Sequence, residues 1–300
     1  MKSGTLYVIG NGFDRRHGIP SGPADFKQFV CSTDRSLYRE IENYLPMDDE
    51  WNDLETALAD MDADALIENL GHFMTSYGAE DWSESGHWGF QHEVQNVVER
   101  LSCGLRQRFA EWVRQLPIPG RATAKNMLAK LDRDAVFFSF NYTCTLGKLY
   151  GVSQENILFI HGCANIAGDE LVLGHAWNPL TRKSLNARYD ISEIDKRLMQ
   201  ANNIIDGYFS ATFKRYAELI AHHREFFDAL TDIEHVIVLG HSLSDVDAAY
   251  FEALLARRNV ADAQWQVACR SAEEWPDKHE RLVQLGVDPA RASLVLWDAL

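Results

Sequence analysis

Val8-Ile-Gly-Asn-Gly-Phe-Asp-Arg-Arg-His-Gly-Ile-Pro20 decides how this chain is read. An apolar run, Leu6 to Ile9, enters the segment and reads as a buried strand. Gly10 and Gly12 follow at once, so the backbone can turn tightly and approach another group with no Cβ in the way. The spacing predicts exposed N–H groups there, suited to a phosphate or pyrophosphate where a helix begins just after. Gly18-Ile19-Pro20 closes the segment and makes it more specific than a bare pair of glycines. Arg15, Arg16 and His17 add a local positive patch, although a solvated first helical turn accounts equally well for the two arginines.

Six more apolar runs read as strands: Ala135–Ser139, Ile157–Ile160, Glu170–Leu173, Val236–Leu239, Gln264–Ala268 and Ser293–Leu296. Continuous β-branched and aromatic runs fit strands covered on both faces, as in a mostly parallel α/β sheet. Between Asp25 and Leu131 the spacing becomes helical. Leu54, Leu58, Met61 and Leu66, then Val94, Val97, Val98, Leu101 and Leu105, lie on one face, and Pro117, Pro119 and Gly120 end the run. Ile191–Met199 and Phe213–Leu230 have the same periodicity. The expected organisation is an α/β core of residues 1–24 and 133–300, a helical insertion at 25–132 and a second one at about 177–231. Trp51, Trp82, Trp88 and Trp112 are concentrated in the first insertion. Helix packing explains them, and a lid over a planar ligand is the sharper alternative.

A formal charge of −15 disfavours a broad nucleic-acid footprint or an anionic membrane surface, since both require a positive face. No apolar run is long enough to cross a bilayer. Met1-Lys-Ser-Gly-Thr5 leads straight into the first strand, so no signal peptide is expected. Five scattered cysteines without a CxxC pair predict reduced thiols in a cytoplasmic protein and no cysteine-based zinc site.

Four of the runs end in a glycine and a polar residue: Ile9-Gly10-Asn11-Gly12, Ile160-His161-Gly162, Leu173-Gly174-His175 and Leu239-Gly240-His241-Ser242. A fifth, Val136–Phe140, ends in Asn141. In an open parallel sheet, ligands bind beyond the carboxyl ends of the strands, so these polar residues are expected to converge. Asn141 has the alternative of capping a helix that starts at Tyr142. His161 has that of a satisfied structural histidine, and Asp247 that of a first-turn acid.

Gly10-Asn-Gly-Phe-Asp-Arg-Arg-His-Gly-Ile-Pro20 resembles, without a gap, the sirtuin nucleotide loop GAGxSxxxGIP. Ser139-Phe-Asn141-Tyr-Thr143 resembles the sirtuin TxNxD element, His161-Gly162 its histidine–glycine pair, and Gly240-His-Ser242-Leu its GxSL turn. Over most of its length the chain resembles the AbiH family of phage abortive-infection proteins, through Tyr7-Val-Ile-Gly-Asn-Gly-Phe-Asp14, Trp51-Asn-Asp-Leu-Glu55, Phe140-Asn-Tyr-Thr143 and Leu239-Gly-His-Ser-Leu243. Asp14 stands where the sirtuin loop has serine, and Thr143 where that family has aspartate. Ser21-Gly22-Pro23 replaces the deacylases' Asp-Phe-Arg.

The resemblance implies a sirtuin-like Rossmann core and an antiphage protein that hydrolyses the bond between ribose and nicotinamide in NAD, or a related nucleotide. NAD is then substrate, with no metal expected. Asn141 positions water or ribose, and His161 accepts a proton. Gly10, Asn11, Gly12, Phe13, Asp14, His17, Gly18 and Ile19 hold pyrophosphate and ribose, and Gly240, His241, Ser242 and Asp247 the adenosine side. Glu55 is a second-tier candidate. A homo-oligomer or a defence partner is compatible with the need to restrain such an activity. The alternatives are a non-catalytic nucleotide-sensing module and a metallohydrolase built from His161, His175 and His241 with Asp14 or Asp247. A serine hydrolase on Ser242 lacks the second glycine of the nucleophile elbow.

Overall fold

The computed structural model describes residues 4–74 and 89–300. They form two compact units: residues up to Gly22 with Ala110–Val172 and Arg215–Leu300, and Pro23–Phe109 with Leu173–Lys214.

The first unit holds six strands: β1 (Thr5–Ile9), β2 (Val136–Ser139), β3 (Ile157–Phe159), β4 (His235–Leu239), β5 (Gln264–Cys269) and β6 (Ala292–Leu296). Every pairing is parallel, in the order β3-β2-β1-β4-β5-β6. The order therefore reverses between β1 and β4, so the ends of these two strands flank the position where open parallel sheets bind ligands.

Side chains alternate across the sheet with the period of two that a strand imposes. Leu6 and Val8 face a core containing Phe138, Val236, Val238, Tyr250, Phe251 and Trp265. Tyr7 and Ile9 face another containing Phe13, Phe137, Leu149, Tyr150 and Trp297. Burial on both faces is why the strands read as unbroken apolar runs. Phe138, fully buried among the rings of Phe140, Phe226 and Phe227, illustrates the scale; truncating such a ring costs about 3–5 kcal/mol.

Glu170–Leu173, expected as a strand, is not one. Gly162, at φ 80°, turns the chain after β3, and a Cβ there would lie 2.6 Å from the Glu170 carbonyl oxygen. The segment folds back over residues 161–162 through one bond, Val172 N–H to the His161 carbonyl at 2.9 Å. A single bond of this kind forms no ladder. The helices Tyr216–His222 and Arg224–Asp228 pack Tyr216, Leu219, Phe226 and Phe227 onto the sheet's core, so helical material up to 231 is divided after Lys214.

The second unit is helical. Pro23–Thr33, Arg35–Tyr44, Ala63–Leu70, Gly89–Glu99 and Lys196–Ala211 are its main helices. Asp34, Asp62 and Asp195 cap three of them, accepting from the N–H groups of Leu37, Ala65 and Arg197. Trp51 is fully buried, with its indole N–H on Glu42 at 2.8 Å. Trp112 belongs to the sheet unit, and Trp82 and Trp88 lie outside the described residues. No helix among the described residues is long and apolar enough to cross a membrane.

Candidate functional site

The turns after β1 and β4 touch backbone to backbone. Gly10 N–H donates to the Leu239 carbonyl at 3.0 Å, and Gly12 N–H to the Gly240 carbonyl at 2.8 Å. A Cβ on Gly10 would lie 2.5 Å from His241 Cα; one on Gly240, at φ 73°, would lie 2.2 Å from the Phe13 nitrogen. The glycines are required because two strand ends meet. This corrects the expectation of exposed donors for pyrophosphate: the N–H groups of Gly10 and Gly12 are engaged by the β4 turn.

The helix Asn11–Arg16 sends Phe13 into the core, fully buried. His17 lies 2.6 Å from both the Phe13 carbonyl, through Nδ1, and the Tyr150 hydroxyl, through Nε2. Burial lowers its pKa, and the neutral ring then donates from Nδ1 and accepts at Nε2. Gly18, at φ 77°, ends the helix with its N–H on the Arg15 carbonyl, and Ile19 is buried. Phe13, His17 and Ile19 are thus held by the core, away from the ligand-covering roles expected of them, while Gly18 is exposed at the helix end. Asn11 is exposed, but both ends of its amide are bonded to Ser21, at 2.7 and 2.6 Å.

Asp14, on the same helix, is 1% exposed. The Thr143 hydroxyl donates to its Oδ2 at 2.6 Å and lies 3.0 Å from the Thr145 hydroxyl. Burial pushes the Asp14 carboxyl up to about 6, while the two hydroxyls and the nearby Asn141 amide favour its charged form. Asn141 does not close a hydrogen bond to it: both ends of the buried amide, and Asp14 Oδ1, have no hydrogen-bond partner. Nor does Asn141 cap a helix, since its N–H is on Ser139 Oγ at 3.2 Å and helical residues resume only at Thr145. Buried polar groups are ordinarily satisfied, so an orphaned amide close to an orphaned carboxylate oxygen is a departure from the rule at this strand end.

Two histidines face one carboxylate. Asp247 Oδ2 is 3.3 Å from His241 Nε2, and its Oδ1 is 3.9 Å from His161 Nε2. His241 Nδ1 accepts the Leu243 N–H at 2.9 Å, which puts the imidazole proton on Nε2, toward Asp247. The turn that makes this bond holds Leu243 at φ 62°, a strained conformation for a branched side chain. Phe140 lies against both rings, with centroids 5.5 Å from His161 and 4.2 Å from His241, and Tyr142 stacks on His161 at 5.9 Å. Residues 139–145 therefore join the two clusters: Phe140 and Tyr142 pack on the histidines, and Asn141, Thr143 and Thr145 face Asp14. Ser242 is exposed beside them.

A family model described as bacteriophage abortive infection AbiH matches residues 6–269. The chain belongs to the AbiH family. Membership implies a role in phage abortive infection. No curated protein and no solved structure matches the chain.

The AbiH match covers both clusters and also Glu55, in the helical unit. Glu55 pairs at 2.7 Å with Lys214, whose side chain is 1% exposed. Lys214 is fixed through its backbone N–H on the His175 carbonyl at 2.8 Å, and His175 N–H reaches the Thr212 carbonyl at 2.9 Å. Gly174 permits this contact, since a Cβ would fall 2.0 Å from the Thr212 oxygen. His175, expected to join the strand-end cluster, is instead buried in the helical unit with Nε2 on the Phe209 carbonyl at 3.0 Å. Among the described residues, no group of three or more His, Cys, Asp or Glu is arranged to hold a metal ion. Sequence reasoning missed Lys214 and Thr145. Nothing in Trp51-Asn-Asp-Leu-Glu55 points to the cation that Glu55 meets, and nothing in the sequence marks Thr145.

Proposed function

We propose that this AbiH protein binds a nucleotide at the carboxyl ends of β1, β2, β3 and β4 and hydrolyses the ribose–nicotinamide bond of NAD. The observation that carries the reading is the unpartnered Asn141 amide beside the unpartnered Oδ1 of Asp14, both buried. The strand order supports it, because β3-β2-β1-β4-β5-β6 is the order of Rossmann dinucleotide-binding sheets. The two departures from the sirtuin pattern support it too. Asp14 replaces a serine and Thr143 an aspartate, and these two side chains are hydrogen-bonded to each other. The pair thus keeps one hydroxyl and one carboxylate with their positions exchanged.

Nicotinamide leaves as a neutral base from a pyridinium, so the protein's task is orientation and stabilisation of an oxocarbenium-like sugar. The Asn141 amide orients ribose or water. His161 takes the proton, and Asp247, 3.9 Å away, stabilises the imidazolium that results. His241 holds Asp247 in place from the other side. With the N–H groups of Gly10 and Gly12 engaged, the dinucleotide's hold comes from Asn141, Asp14 and the exposed Ser242 turn.

Incubating the purified chain with NAD and separating products by chromatography tests this. Nicotinamide release is expected, with His161→Ala and Asn141→Ala each lowering it about 10²–10⁴-fold. Release that survives both substitutions overturns the assignment. NAD binding by calorimetry without release supports the sensing alternative, and absence of both removes NAD as the ligand.

A further inference from the structure

Cys144 and Cys163, in the sheet unit, carry chemistry that the proposed reaction does not use. Cys144 sits between Thr143 and Thr145, the two hydroxyls that face Asp14. Cys163 follows His161 by two residues. The two segments run side by side, with Ala164 N–H on the Tyr142 carbonyl at 2.9 Å, and Cys144 Sγ lies 3.3 Å from the Asn165 side-chain oxygen. The thiols touch, with Cys163 donating to the Cys144 sulfur. Cys163 is buried and its backbone N–H is anchored on Asp169 at 3.1 Å. Cys144 is half-buried and lines a cavity of about 120 Å³ whose walls include Gly147, Val152, Ile157 and Ile166. One sulfur is therefore reachable, and the other stands behind it.

We propose that Cys144 and Cys163 are a redox-active dithiol, which a peroxide converts to an intramolecular disulfide beside the candidate site. The hydrogen bond from Cys163, with Lys148 nearby, holds the Cys144 thiol below the usual range, while Cys163 is held above it by the same contact and by burial. The attacking group is thus Cys144. Its thiolate attacks one oxygen of hydrogen peroxide, the O–O bond breaks, and hydroxide leaves. The resulting sulfenic acid is attacked by the Cys163 sulfur, which gives up its proton as the S–O bond breaks and a second hydroxide departs as water. Two thiols and one hydrogen peroxide give one disulfide and two waters. Forming the S–S bond, at about 2.05 Å, draws the 144 backbone toward 163 and with it the hydroxyls of Thr143 and Thr145. Asp14 would lose part of what holds it; only this last consequence, for turnover, rests on the proposed function.

The experiment exposes the native chain to limiting hydrogen peroxide, alkylates the remaining thiols after denaturation and maps them by mass spectrometry. A Cys144–Cys163 disulfide is expected, with alkylatable Cys144 lost about tenfold faster than the exposed Cys103. Cys163→Ser should leave a sulfenic acid on Cys144 that a dimedone reagent captures. Loss of Cys144 no faster than that of Cys103, a disulfide to any other cysteine, or sulfenic acid on Cys144 in the unaltered chain without a disulfide overturns the proposal. These readouts count thiols, so they stand or fall independently of NAD turnover.

Discussion

Two carboxylates, one in each unit, are held in opposite ways: Glu55 is partly exposed and Asp14 is buried. Glu55 in the helical unit has an ammonium 2.7 Å away, that of Lys214. Asp14 in the sheet unit has only hydroxyls, an amide nearby and an oxygen with no hydrogen-bond partner. The first arrangement fixes both charges. The second leaves a carboxyl whose proton is exchanged near pH 6, which suits a group that meets a ligand rather than one that supports a fold.

Breaking the Glu55–Lys214 pair gives the largest expected effect. Glu55→Gln removes the carboxylate 2.7 Å from a buried ammonium, and removing one partner of such a pair costs about 3–5 kcal/mol where no other partner compensates. Glu55 is partly exposed, so the lower end of that range is expected in denaturant unfolding. The double variant Glu55→Leu with Lys214→Met should recover part of the loss, because the buried ammonium is then removed together with its carboxylate. A Glu55→Gln change within about 0.5 kcal/mol of the parent would make this pair no more than a surface contact.

Asp14→Asn should act in the opposite direction. Burial raises the Asp14 pKa from 3.8 to about 6, so the folded chain binds the proton more tightly than the unfolded one. A raised folded-state pKa gives a contribution that is complete below the unfolded value and lost as pH rises through the folded one. Stability from this group therefore falls between about pH 4 and pH 6, by about 3 kcal/mol for a shift of about two units. An asparagine carries no such slope. Unfolding at pH 4 and pH 7.5 should show the variant gaining on the parent at the higher pH, together with loss of the proposed NAD turnover. A difference between the two chains that does not change with pH would mean that Asp14 is ionised and satisfied like Glu55.

Much of the fold was legible because sheet burial dictates it. Six of the seven expected strands form, and the central ones are apolar runs covered on both faces. Glu170–Leu173 misled because a short apolar run records burial, not the presence of a ladder partner, and it was Gly162 that turned the chain away. The convergence of Asn141, His161 and Asp247 was legible, because positions just after strands or at a helix start bring them to one edge. The glycine loop was half legible. Its sequence announces a close approach, but only coordinates tell whether a phosphate or the Gly240 backbone makes that approach. Lys214 stayed hidden because its partner lies far away in sequence.

The smallest effect sharpens the comparison most. Thr143→Ala removes the hydroxyl that donates to Asp14 at 2.6 Å, and a hydrogen bond to a charged group contributes about 1.5–3 kcal/mol. At pH 7.5 the loss is expected near the low end, because Asp14 can take up a proton as its support weakens, and the Asp14 pKa should rise further above 6. Asp14→Ser combined with Thr143→Asp keeps one hydroxyl and one carboxylate but exchanges their places. If the pair is what the site needs, the exchange is less damaging than the sum of its two single changes, with a coupling of about 1 kcal/mol in a double-mutant cycle. Strict additivity would mean that the carboxylate must stand on the helix after β1, as the glutamate must stand opposite Lys214, and the two carboxylates would then differ in degree of exposure but not in kind.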